Sequence, residues 1–142
     1  MDVFDLMERD YDRLFGAMRD LLEGRTGTRR SAVRDALLRE LAAHLDGLER
    51  EVLPLLRHES SLDALVSLTE GGIPRLRGLL ARLERGEDSR EIYDELGGLL
   101  LEQCRRAHRR LHPKARQTIS PQIAMRSGQA LLRRREATLG HP

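Results

Sequence analysis

From Val3 to Leu22 the apolar side chains recur at three- and four-residue intervals, as Val3, Phe4, Met7, Tyr11, Leu14, Phe15, Met18, Leu21 and Leu22. That period describes one face of an α-helix and cannot be laid on a strand, whose faces alternate at every second residue. It returns three more times. A second stripe runs Leu37, Leu41, Leu45, Leu48, Val52 and Leu55, with His44 on its inward edge. A third carries Leu65, Val66 and Leu68, then Ile73, Leu76, Leu79, Leu80 and Leu83; a fourth carries Tyr93, Leu96, Leu100, Ala107 and Leu111. Aromatic residues, which favour strands, make up only 3% of the chain, so the fold class is all-α.

Local signals set the expected boundaries. Asp2, Ser89 and Ser120 are N-cap residues, and Pro121 follows Ser120 at the first helical position, where its missing N–H costs nothing. A fifth, more basic helix then carries Ile123, Ala124 or Met125, Ala130, Leu131 and Leu132. Gly24-Arg25-Thr26-Gly27-Thr28 and Gly86-Glu87-Asp88-Ser89 read as linkers. Within the third stripe, Glu70-Gly71-Gly72-Ile73-Pro74 predicts a kink or break. Four helices on short linkers must lie antiparallel to bury their stripes. The expected architecture is therefore one domain over residues 1–142, an up-down-up-down four-helix bundle with an additional C-terminal helix.

Composition narrows the function classes. In 142 residues, 25 basic groups nearly balance 23 acidic ones, leaving a net charge of +2. Neither that balance nor the few aromatic residues suit nucleic-acid binding. Lys114 is the only lysine among the basic residues, a bias that fits a GC-rich genome. The single Cys104 excludes an intrachain disulfide and suits a reducing cytoplasm. The acidic start and the lack of a long apolar run predict neither a secretory signal nor a membrane span.

Two helix ends bear prolines, Glu51-Val52-Leu53-Pro54 and Leu111-His112-Pro113-Lys114-Ala115-Arg116. Together with the opening Val3-Phe4-Asp5-Leu6-Met7-Glu8-Arg9-Asp10-Tyr11, with His44 ten residues before Pro54, and with Leu79-Leu80-Ala81-Arg82-Leu83, they make the chain resemble the hemerythrin-like family of HHE cation-binding domains. The resemblance covers almost the whole chain. It implies a helical bundle whose family members hold a non-heme di-iron centre on histidines and carboxylates from all four helices.

Aligned on these landmarks, most of the family's ligand positions hold other residues. Tyr11 follows Asp10 where a histidine is expected, and His44 is retained but is followed by Leu48 where glutamate is expected. Ile73 stands at the third helix's histidine position, and Gln103 and Ala107 replace the fourth helix's histidine and glutamate. A dismantled di-iron site is expected, with no cofactor.

The six positions Tyr11, His44, Leu48, Ile73, Gln103 and Ala107 then admit two readings. One is a buried hydrogen-bond network in which the Tyr11 hydroxyl bonds a His44 nitrogen, with Gln103 bridging. The other is a small polar ligand pocket, in the volume released by Ala107 and the two glycines. A rearranged iron or haem site is the alternative, on His44 with Tyr11 or on Cys104, His108 and His112, which recur at every fourth residue of one helix. Cys104 is expected in the core, His112 exposed near Pro113, and Glu51 solvated. Arg105, Arg106, Arg109 and Arg110, and Arg133, Arg134 and Arg135, are expected on solvated faces paired with acids, with phosphate or an acidic partner as the competing reading. No phosphate-binding loop or nucleophilic triad is present. The function expected is a non-catalytic binding or interaction module for an unknown small molecule or protein, with homodimerisation possible through the bundle's exposed edges.

Overall fold

The structure is a computed structural model that describes residues 1–24 and 27–140. Arg25 and Thr26 of the first expected linker, and the last two residues, lie outside it. Among the described residues every regular element is helical, and no helix is long and apolar enough to cross a membrane.

Helix α1 (Val3–Leu22) starts where Asp2 accepts a hydrogen bond from the Asp5 amide at 2.9 Å. Helix α2 (Gly27–Gly47) passes through a π-turn at Leu48–Val52 into the short α3 (Leu53–Leu56). A 3₁₀ turn at Ser60–Leu62 opens α4 (Asp63–Glu84). Helix α5 (Arg90–Arg106), capped by Ser89, passes through a second π-turn at Ala107–Leu111 into α6 (His112–Thr118). Helix α7 (Pro121–Leu139) is capped by Ser120 and ends at Gly140, whose φ of 79° admits the left-handed turn.

The two π-turns are where the prolines act. Pro54 and Pro113 cannot donate to the carbonyl one turn back, and each is preceded by a turn in which the amide reaches five residues instead of four, Leu53 to Leu48 and His112 to Ala107. The extra residue rotates the following segment, so the helices run on past their prolines with the apolar face still inward.

Of the kink or break expected at Gly71-Gly72-Ile73-Pro74, the break does not occur: helix α4 runs through all four residues. Ile73 and Leu76 are buried at 8% and 1% exposure, and the apolar stripe is continuous from Leu65 to Leu83. Burial of that stripe outweighs the local cost of the glycines and proline.

Helix α1 packs on α2, α5 and α7, while α4 packs on α5 and α2. Helix α7 lies across α1 and α2 and approaches closely at two glycines. A Cβ on Gly128 would stand 3.0 Å from the Met1 carbonyl oxygen and the Val3 nitrogen, and one on Gly47 would stand 2.5 Å from Leu131 Cδ1.

The apolar interior forms two clusters. One gathers Phe4, Met7, Leu48, Val52, Ile73 and Leu111. The other gathers Leu14, Leu41, Leu45, Leu76, Tyr93 and Leu100. Between them, along α1, α2 and α5, the buried residues are polar.

Candidate functional site

That polar layer is built from residues that continue the apolar faces of their helices. Asp10 and Tyr11 fall between Met7 and Leu14 on α1, His44 beside Leu41 and Leu45 on α2, and Gln103 one turn after Leu100 on α5. All four are buried, His44 completely. Groups so placed must satisfy one another, since an unpaired buried polar group costs about 1–3 kcal/mol.

They do so through Gln103. Its Oε1 accepts from the Tyr11 hydroxyl at 2.7 Å and lies 2.9 Å from His44 Nε2. The other ring nitrogen, Nδ1, lies 3.2 Å from Asp10 Oδ2. The imidazole thus meets an oxygen at each nitrogen, and its ring stands at 61° to the Tyr11 ring at a centroid distance of 4.9 Å. Burial, followed by the charges of Cys104 and Asp10, holds the Tyr11 phenol well above its usual value, so it remains a neutral donor.

A carboxylate at this depth needs cations. Arg135 on α7 donates from Nη1 to Asp10 Oδ1 at 2.8 Å and from Nη2 to Glu40 Oε2 at 2.8 Å, and Arg13 adds a bond of 3.2 Å to Asp10. Arg135 is only 2% exposed. This corrects the expectation of a solvated face for Arg135, while Arg133 is exposed. Sequence reasoning missed Asp10, Glu40 and Arg135 as members of the layer, although a signal existed: Ala124, Gly128, Leu131 and Arg135 share one helical face, and three of them are small or apolar. Of the other arginines, Arg106 pairs with Glu102 and Arg134 with Glu51 and Asp46. Glu51, expected in solvent, is half-buried against Arg134 because α7 lies over it.

Leu48, Ile73 and Ala107 are buried as well. The expected direct bond from the Tyr11 hydroxyl to His44 is replaced by a shared acceptor: both residues bond Gln103 Oε1, and their rings meet edge to face. A di-iron centre does not fit this donor set. Leu48, Ile73 and Ala107 offer no lone pair, the Asp10 oxygens are taken by Arg135, Arg13 and His44, and both His44 nitrogens already face oxygens. Among the described residues no group of three or more His, Cys, Asp or Glu is arranged to hold a metal ion.

Cys104, His108 and His112 do not converge. Cys104 is only half-buried, against the expectation of a core position, because it stands one residue round from the inward-facing Gln103. Burial and the neighbouring acids Asp12 and Glu8 raise its thiol, the opposite of what a nucleophile or thiolate ligand needs. His108 is exposed and bonds Glu8 at 2.7 Å. His112, expected in solvent, is 2% exposed and packs its ring against Phe4 at 5.1 Å. The π-turn between His108 and His112 supplies the rotation that carries it inward.

Gln103 also reaches the outside. A cleft of about 290 Å³ lies between α4 and α5, bounded by Gly71, Gly72, Arg75, Leu76, Leu99, Glu102, Gln103 and Arg106 among others. Of the six positions singled out from the sequence, only Gln103 borders it. Space does exist beside the glycine pair, but it opens outward from the polar layer and not within it.

No protein-family model, no curated protein and no solved structure matches this chain.

Proposed function

We propose that the chain is a hemerythrin-like, up-down-up-down four-helix bundle with an additional C-terminal helix, and that it serves as an iron-independent binding module for a small molecule. The observation that carries this reading is the position of Gln103. It stands where the resembling family would place a histidine ligand, it binds His44 and Tyr11 on its inner side, and it borders the cleft between α4 and α5 on its outer side. Asp10, Arg135 and Glu40 supply the charges that a metal and its carboxylates would otherwise bring to that depth. The bundle itself is supported by four long helical stretches joined by short connections, with α7 lying across α1 and α2. A reducing cytoplasm suits the single, partly accessible Cys104.

Metal analysis and an absorption spectrum, taken before and after anaerobic ferrous iron, test the reading. The expected result is no stoichiometric iron, no oxo-bridged band and no Soret band. Two irons per chain would overturn it.

A further inference from the structure

The cleft between α4 and α5 has the chemistry of a particular ligand class, and we propose that it binds a small monocarboxylate with a short apolar body. The proposal rests on the binding-module reading above and names its ligand.

The space exists because of the glycine pair. A Cβ built on Gly71 or Gly72 meets nothing within 4 Å, so no neighbouring group requires glycine at either place, although glycine inside a helix costs about 1 kcal/mol relative to alanine. What the two residues leave is the cleft, whose volume of about 290 Å³ suits a compact ligand.

Its floor is a donor without a partner. Gln103 is 4% exposed, and its carbonyl oxygen is used by Tyr11 and His44. Its amide nitrogen makes no hydrogen bond to the described residues and is not sealed from solvent. Gln103 borders the cleft, and its two amide N–H groups, bonded to none of the described residues, call for an acceptor. At the rim stand two cations. Arg106 is held by Glu102 at 3.3 Å and Arg75 by Glu95 at 3.7 Å. Exposed pairs of this kind contribute little, so a ligand carboxylate can take the place of either acid while keeping the fork geometry that arginine favours. Leu76 and Leu99 form an apolar wall. Donor floor, cationic rim and apolar wall select a carboxylate over a neutral amide, and a molecule with an apolar body over inorganic phosphate.

The test uses the full chain, after its iron content has been measured, and follows ¹H–¹⁵N spectra during titration with benzoate up to ~10 mM, an excess over any Kd near ~1 mM. Saturable shifts are expected at the Gln103 side-chain amide and at the Gly71 and Gly72 backbone amides. Benzamide, which lacks the charge, and inorganic phosphate, which lacks the apolar body, should each bind at least about tenfold more weakly. The variant Gly72→Leu fills the cleft while improving helix propensity, so it should keep or raise the melting temperature and lose the shifts. Absence of saturable shifts, equal binding of benzamide or phosphate, or full binding by Gly72→Leu would each overturn the proposal. Iron content judges the binding-module reading separately, so the two can fail independently.

Discussion

Arg135 and Asp10, 125 residues apart in sequence, meet at 2.8 Å with both side chains almost entirely removed from solvent. The contact ties α7 to α1 through charge at the level where the two apolar clusters part. Removing one partner leaves the other charge buried and uncompensated, a far larger cost than the net worth of the intact pair. Arg135→Met should therefore destabilise the protein by about 3–5 kcal/mol, read as a shift in the urea midpoint. The double variant Asp10→Asn/Arg135→Met should recover part of that loss. If the single and double variants were equally unstable, the damage would come from packing and not from the orphaned charge.

His44→Ala leaves Asp10 and Gln103 each short of a partner, and a loss of about 1–3 kcal/mol is expected. A double-mutant cycle with Gln103→Ala should give a coupling of at least ~0.5 kcal/mol, because the two residues share a hydrogen bond. Additive losses would show that the bond contributes nothing to stability.

The pH dependence of stability should carry the signature of His112. Burial pushes this histidine from 6.5 to about 4, against a partial upward pull from Glu8; Arg116 adds to the lowering and Asp2 opposes it. Glu8 is 3.8 Å from His112 Nδ1, too far to bond it, and that nitrogen has no partner. A folded-state value below the unfolded one means that, between 6.5 and 4, the unfolded chain takes up a proton while the folded chain does not. Stability is thus fully present above 6.5 and falls as the pH drops, by up to about 1.4 kcal/mol per unit and about 3 kcal/mol in all. Urea unfolding at about pH 7 and about pH 5 should show the decline, and His112→Phe should flatten it. An equally steep decline in that variant would assign it to other groups.

The helices and most of their caps are legible in the sequence because they rest on local facts: the period of Val3 to Leu22, Asp2, Ser89, and Ser120 before Pro121. Tyr11, His44 and Gln103 are legible as one group because the landmarks Pro54 and Pro113 place them at equal depth. The polar layer's charges are not. Asp10 continues the Met7 to Leu14 face of α1 and Arg135 the Ala124 to Leu131 face of α7, but neither local pattern pairs them, because the docking of α7 on α1 depends on contacts between Gly128 and the chain start that no short-range pattern encodes. His112 escapes for a different reason. Counting in fours from Cys104 assumes 3.6 residues per turn throughout, and the π-turn at Ala107–Leu111 breaks that count. The uninterrupted α4 shows the converse, a local breaking signal at Gly71-Gly72-Ile73-Pro74 overridden by burial of Ile73 and Leu76.

Two glycine substitutions separate a glycine needed for close approach from one that leaves space. At Gly128 the added methyl group of alanine would press on the Met1 carbonyl oxygen and the Val3 nitrogen at 3.0 Å, and on the Asp2 carbonyl carbon at 3.1 Å. These are backbone atoms at the capped start of α1 and cannot turn aside as a side chain would, so the whole helix start must move away from α7. Gly128→Ala should cost about 1–3 kcal/mol despite alanine's better helix propensity. At Gly71 the same methyl group meets nothing within 4 Å, and Gly71→Ala should gain up to about 1 kcal/mol. Thermal melting of the two variants beside the parent chain checks both signs at once. A Gly128→Ala protein as stable as the parent would mean that α7 does not press on the start of α1 as closely as the 3.0 Å contacts require.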